Sequence, residues 1–291
     1  MASVELAITN PVTVQFLKAL SGTLAWSLSF YPQPYLNILR RSTTGTTPAF
    51  PLLNVLGFTC YTISTTTLYS SMLIREQYRA RHNGTPNTTR GNDVAFAVHA
   101  LLISAVTLSQ FWSRLWGFEK RRFRLLVGTG VWGLLVGSVL AVWSVIGVVL
   151  VKGRDGGRDP EGWAWIDVIS AVGYVKLVVT VVKYMPQVWT NYKRKSTVGW
   201  SIGQILLDLA GGFLSIAQLV IDSSLQGDWS GILGNPVKFG LGNVSIFFDV
   251  IFMVQHYILY RVKGKSKDDE DSNDVERRGL LSSDEEDGVP K

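Results

Sequence analysis

Four ionisable side chains stand where ionisable side chains are expensive. Lys176 and Lys183 fall in one apolar run, Asp208 in the next and Asp249 in the last. On a helix, the spacing of Lys176 and Lys183 puts them two turns apart on one face. Gln204 lies one turn before Asp208 on a shared face. A charge at the middle of a bilayer costs about 2.5–3.5 kcal/mol on insertion scales, so such a group faces a partner or a water-filled cavity. Two chemistries fit: static Lys–Asp bridges between helices, or a pathway that handles charged solutes. No nucleophile–base pair, metal-ligand spacing or glycine-rich phosphate loop accompanies them, so no enzyme, metal or cofactor is expected.

The elements that carry these residues are long and apolar. Of 291 residues, 47% are apolar and only 17% charged, and apolar runs of bilayer-crossing length recur along the chain. Seven are read, at roughly 13–33, 50–73, 92–113, 125–151, 166–189, 201–222 and 237–260. A run such as "LLVGTGVWGLLVGSVLAVWSVIGVVLV" is apolar all round, unlike an amphipathic soluble helix. The sequence therefore predicts an all-α membrane protein. The start "MASVELAITNPVTVQF" has no basic stretch before its apolar run, so the first helix is expected to stay as a signal anchor. Cys60, the single cysteine, allows no intramolecular disulfide.

The net charge of +6 needs no nucleic-acid partner, because the basic residues sit in short loops between the runs. Arg40, Arg41, Arg114, Lys120 to Arg122, Arg124, Lys193 to Lys195 and the first lysines of the tail outnumber the basic residues of the alternate loops. That bias puts the N-terminus outside and the C-terminus inside. "NGT" at 83–85 and "NTT" at 87–89, both acceptor sequons, fall in a loop so placed outside, which makes Asn83 and Asn87 candidate glycosylation sites.

One segment occurs twice. Residues 32–57 lie on 186–211 without a gap: Pro32 on Pro186, Gln33 on Gln187, Asn37 on Asn191, Ser42-Thr43 on Ser196-Thr197, Gly45 on Gly199, Asn54 on Asp208 and Gly57 on Gly211. Loops after apolar helices tend to be basic and to turn on glycine, but that does not account for Pro-Gln, Asn, Ser-Thr and Gly in one register. The duplicated unit is three helices, and a fourth links the copies so that the second enters in the same orientation. Parallel repeats of this kind are typical of transporters with a site between the halves. The prolines remove a backbone hydrogen bond within a helix, so Pro32-Gln33 and Pro186-Gln187 are read as hinges. The division is a short outer segment 1–12, a first repeat 13–113, a linker helix with its loops 114–165, a second repeat 166–262 and a tail 263–291. A seven-helix receptor shares the topology, but the duplication and embedded charges favour a carrier.

"YPQ…N…RRSTTG" and "KYMPQVWTNYKRKSTVGWS" resemble the paired signature of the PQ-loop transporter family. "YVKLVVTVVKYMPQVWTNYKRKSTVGWSIGQILLDLAGGFLSIAQ", "NPVKFGLGNVSIFFDVIFMVQHYILYR", "GNDVAFAVHA" and "AWSLSFYPQ" resemble its cystine-exporting branch over residues 24–262. Gln204 stands where that branch has asparagine, and Pro34 is an extra proline. The resemblance implies proton-coupled export of L-cystine from a lysosome or vacuole by alternating access. Carriers of cationic amino acids are the nearest alternative within the family.

Cystine has two ammonium and two carboxylate groups. On the resemblance, Lys183 holds a carboxylate and Asp208 an ammonium or a proton, with Lys176 nearer the lumenal mouth. Asn54, Asn191 and Gln204 supply hydrogen bonds, and Trp26 with Phe30 forms an apolar wall. Coupling needs a carboxyl that exchanges its proton between an acidic lumen and a neutral cytosol, which a free aspartate does not. Asp249, amid "SIFFDVIFMV", is the first choice, Asp208 the second and Asp93 a third. The polar tail reads as disordered and carries "ERRGLL", whose Glu276, Leu280 and Leu281 match an acidic dileucine adaptor signal. The expected partners are thus cystine, membrane lipid and adaptor proteins.

Overall fold

The computed structural model describes residues 22–84, 86, 87, 89, 91–118, 128–226 and 236–260. The expected outer segment 1–12, the tail and its dileucine signal at Glu276, Leu280 and Leu281 lie outside them. The described chain is helical, with no strand. In order, the helices are α1 (Gly22–Ser29), α2 (Pro32–Arg40), α3 (Ala49–Ser70), α4 (Met72–Arg81), α5 (Gly91–Ser109), α6 (Ser113–Trp116), α7 (Thr129–Lys152), α8 (Trp165–Val182), α9 (Met185–Arg194), α10 (Ile202–Gln226) and α11 (Pro236–Met253). A π-helical turn, Val254–Leu259, continues α11.

Among the described residues three stretches are long and apolar enough to cross a membrane: Gly91–Ser109, Thr129–Lys152 and Trp165–Arg194. α3 is 22 residues long but rich in threonine and serine. Its hydroxyls bond back to its own carbonyls, Thr65 to Tyr61, Thr67 to Ile63 and Ser70 to Thr66. That satisfies polar groups where water is scarce. α7 turns a largely unburied apolar surface outward, including Trp132, Leu140, Trp143 and Val151.

Two expected runs are each broken in two. The run at 13–33 ends its helix at Ser29 and restarts at Pro32; the run at 166–189 ends at Val182 and restarts at Met185. In both, proline occupies the first turn of the second piece, where its missing N–H leaves no bond unmade. The backbone joining the pieces stays in the right-handed helical region at Tyr31, Lys183 and Tyr184, so each proline follows an interruption in the helical bonds and not a turn of the chain. The run at 50–73 also breaks. Ser71 leaves the helix and caps α4, its hydroxyl accepting from the Ile74 N–H. α4 is a polar helix that hydropathy alone passes over. Gln77 donates to the carbonyls of Gly157 and Arg158 and accepts from the Ile166 N–H. Arg81 grips the Asp167 carboxylate and the carbonyls of Pro160 and Gly162.

The duplication persists in the backbone. α2 and α9 both end on a left-handed residue, Arg41 at φ 49° and Lys195 at φ 50°. Each closes the helix with bonds to the Asn four residues back and to its neighbour three back. Arg40 donates to the Thr44 carbonyl as Arg194 does to that of Val198. Helices of the two matched segments pack on each other: α3 on α8 and α1 on α10, while α5 covers α3 and α11 covers α10. The repeated glycines sit at these crossings. A Cβ at Gly57 would meet Val179 at 3.0 Å, and one at Gly211 would meet Trp26 at 2.5 Å, the close approach that small residues allow between membrane helices.

Gly45 and Gly199 bring the two loops into contact. A Cβ on Gly199, at φ +92°, would stand 2.0 Å from the Thr44 carbonyl oxygen, whereas Gly84, at φ +82°, has nothing within 4 Å. Gly84→Ala should cost only the left-handed torsion, about 1–2 kcal/mol. Gly199→Ala should cost visibly more in thermal unfolding of the purified protein. Equal losses would show that the loops do not touch.

Candidate functional site

The site begins with the glutamine of each Pro-Gln pair. Gln33 is 3% exposed and Gln187 fully buried, and a buried amide needs partners for both its ends. Each finds them in the loop of the other segment. Gln33 Nε2 donates to the Gly199 carbonyl at 3.0 Å, and its Oε1 accepts from the Ser201 N–H at 2.7 Å. Gln187 Nε2 donates to the Gly45 carbonyl at 2.9 Å, and its Oε1 accepts from the Thr47 N–H at 2.9 Å. In the alignment of the copies Gly45 matches Gly199 and Thr47 matches Ser201, so the two halves exchange the same bonds.

A second layer holds the glutamines. Gln33 also donates to Asn37 Oδ1 and Gln187 to Asn191 Oδ1. Asn37 then donates to Gln110, which donates to the Pro34 carbonyl; Asn191 donates to Gln255, which donates to the Val188 carbonyl. Asn191, expected to contact substrate, is fully buried within this network. Gln110 and Gln255 were not foreseen. They close the third helix of each half, as "LSQFW" and "MVQHY", but their spacing from the repeat differs between the copies, so a gapless comparison misses them. The π-turn at Gln255 is the local irregularity that lets it reach inward.

Beside the exchange lies a small recess lined by Phe30, Gln33, Asn54, Ser104, Trp200 and Gln204 among others. Three expected residues thus meet there: Phe30, Asn54 and Gln204. Phe30 packs edge-on to Phe58 at 5.2 Å. Trp26 instead seats on Gly211 in the α1–α10 crossing.

The charged residues form a neighbouring cluster from α8, α10 and α11. Asp208 accepts from Ser245 at 2.8 Å and from the Tyr184 hydroxyl at 3.1 Å. Tyr184 and Ser245 were not foreseen as its partners. Lys183, 8% exposed, lies over the Tyr184 ring at 4.5 Å. Lys176 Nζ stands 3.9 Å from the centre of the Phe58 ring, a cation–π contact. Asp249 is fully buried, and neither of its oxygens has a hydrogen-bond partner. It lies within electrostatic reach of Asp208 and Lys183. Among the described residues neither lysine forms an ion pair; the ion pairs are Arg81–Asp167 and Arg154–Asp159, elsewhere. Asp93 is in the first turn of α5, near Tyr61, whose ring centre lies 5.8 Å from Lys176 Nζ. Asn83 is exposed at a turn, while Asn87 donates its amide to the Leu68 carbonyl. Among the described residues no group of acidic, histidine and cysteine side chains could hold a metal.

The sequence model of the PQ loop repeat matches residues 19–73 and 168–228, the two segments that exchange glutamine bonds. A cystinosin homolog of Arabidopsis thaliana is 38% identical over 269 residues, 91% of this chain and 94% of that one. This chain belongs to the cystinosin family of PQ-loop proteins. Cystinosin of Drosophila melanogaster is 40% identical over 238 residues, 82% of this chain but 56% of its own length. The chain thus spans little more than half of that cystinosin. The cystine transporter of Saccharomyces cerevisiae is 27% identical over 246 residues. The family's namesake Pro-Gln pair is here an inter-segment tie whose glutamine does the tying. Gln187→Ala strips partners from the Gly45 carbonyl and the Thr47 N–H. It should lower stability by about 1–3 kcal/mol, read as thermal unfolding in detergent. Unfolding at the wild-type temperature would show that the exchange holds nothing together.

Proposed function

We propose that this protein is a transporter, not an enzyme, that exports L-cystine from a lysosome or vacuole lumen to the cytosol with protons, by alternating access. The reading includes seven membrane helices as two parallel three-helix repeats around a linker, with the N-terminus lumenal and the C-terminus cytosolic. Family membership supports the substrate: the relatives' names include cystinosin and cystine transporter. The observation that carries the coupling is Asp249, buried without a hydrogen bond beside Asp208 and Lys183. A carboxyl group in such a place is completed by a proton or by a cationic partner.

In this reading cystine enters from the lumen into the space between the charged cluster and the recess. Lys183 and Lys176, which hold no protein anion, take a carboxylate; Asp208, aimed by Tyr184 and Ser245, takes an ammonium. Asp249 carries the proton, so the loaded carrier reorients without moving an extra charge through low dielectric. The glutamine exchange closes one side while the other is open, and the helix breaks ahead of Pro32 and Pro186 give the moving pieces their pivots. The tail signal at Glu276, Leu280 and Leu281 would recruit adaptor proteins for endolysosomal sorting.

The test is uptake of labelled cystine into vesicles under an imposed pH gradient. Asp249→Asn should still bind cystine and exchange it but lose acceleration by the gradient, whereas Asp208→Asn should weaken binding. Full proton-driven uptake by Asp249→Asn would remove it from the coupling step. Preferential displacement of label by lysine would instead mark a cationic amino-acid carrier.

The orientation makes a separate forecast. Asn83, exposed and unencumbered, should carry a glycan in cells, and Asn83→Gln should abolish the glycosidase shift while Asn87→Gln leaves most of it. A shift that survives both changes would place this loop on the other side of the membrane.

A further inference from the structure

α4 carries two side chains that the transport reading does not use. Gln77 is 1% exposed. Its Nε2 donates to the Gly157 and Arg158 carbonyls at 2.8 and 2.9 Å, and its Oε1 accepts from the Ile166 N–H at 2.9 Å. Arg81, one turn further on, donates through Nε to the Pro160 carbonyl at 2.9 Å and through Nη2 to the Gly162 carbonyl at 2.7 Å. Its guanidinium also forks the Asp167 carboxylate, a planar pairing that fixes orientation as well as distance. Asp167 in turn accepts from the Ala164 N–H at 2.8 Å. Ile74 packs with Ala164 and Ile166 in a small apolar cluster. Both arms therefore grip the start of α8 and the loop that leads into it.

The place of this clasp gives it a consequence. α8 leads into Gln187, which bonds to Gly45 and Thr47 just before α3; α4 follows α3 at its other end. The α3–α8 pair is thus tied at both ends, and the 22 residues of α3 span about 33 Å between the ties. Along the way Gly57 lets α8 come close: a Cβ there would stand 3.0 Å from Val179 and 3.5 Å from Lys176 Cδ. Lys176 Nζ stands 3.9 Å from the centre of the next ring, Phe58. A helix is stiff along its axis, so the two ties set where Lys176 falls on α3. The other edge, α1 on α10, is tied by Gln33 to the loop before α10. The sequence after α10, "QGDWSGILGNP", holds no arginine or lysine, so that segment offers no counterpart of Arg81.

We propose that Gln77 and Arg81 are positioning residues that keep these ends of α3 and α8 joined through the whole transport cycle. Lys176 then stays on Phe58 in every state, and cystine enters past the α1–α10 edge. The proposal rests on the transport reading above and adds which edge opens. The glutamine exchange is made and released in the cycle; the α4 clasp is kept, and the halves turn about it.

Uptake of labelled cystine by vesicles holding the full chain tests this, with Cys60→Ala as the background. Arg81→Cys with Asp167→Cys removes the fork. A short bis-maleimide then bridges the two thiols, each adding across one maleimide double bond to give a thioether that cystine cannot exchange. Unbridged, the pair should raise KM about tenfold, as expected when a hydrogen bond to a charged group is lost, with Vmax per folded molecule little changed. A merely structural loss would lower Vmax and leave KM where it was. Bridged, the protein should regain the KM of the background and go on transporting. A bridged protein that no longer transports shows that the ends must part, and overturns the proposal; so does a background KM in the unbridged pair. Should the pair fail to fold, Arg81→Lys, which keeps the charge and loses the fork, decides through KM alone. A wild-type chain that takes up no cystine overturns the transport reading, and this proposal with it.

Discussion

Two buried glutamines, each bonded across to the backbone of the opposite segment, set the geometry of this protein. Each has a donor and an acceptor to place in a low-dielectric interior, where an unmade bond is costly. Each places both on the loop that follows the other's helix. The loops must then approach closely enough that Gly45 and Gly199 cannot carry a side chain. The helices leading into them must break just before the prolines, and the third helix of each half must end on a glutamine that steadies the adjoining asparagine. Because the bonds are reciprocal, neither loop can withdraw without orphaning polar groups on both sides. In the proposed transport cycle this tie is the closure that is made or released.

The charged cluster follows a different rule. Its lysines rest on aromatic rings and its best-buried carboxylate has no partner. A structural bridge would have paired them, since the attraction of opposite charges at close range is large wherever water is excluded. Leaving them unpaired is consistent with a zwitterionic cargo and a mobile proton as their counterparts. Asp208, fixed by Tyr184 and Ser245, is the exception and has the orientation of a docking group.

Much of this was legible in the sequence because duplication leaves a register. Pro32 on Pro186, Gln33 on Gln187 and Gly45 on Gly199 pointed to the two loops. Apolar length gave most helix positions to within a few residues, and the cost of burying charge singled out Lys183, Asp208 and Asp249. The rest was hidden for specific reasons. Nothing local distinguishes a glutamine that ties two segments from one beside a hinge, because its partners are backbone atoms far away in the chain. Asn191 carries an amide like any ligand-binding asparagine, and only its burial against Gln187 and Gln255 removes it from the cavity. α4 is polar and short, so hydropathy merged its first residues into the run before it.

The central claim is that the loop-to-loop tie is one of two states and that transport requires its release. Spin labels at Thr44 and Val198, both exposed on the touching loops, with Cys60 replaced by alanine, report that distance directly by double electron–electron resonance. The account predicts one short distance without substrate and a second, longer population when cystine is added at acidic pH. A single unchanged distance under conditions in which the same labelled protein transports cystine would contradict it.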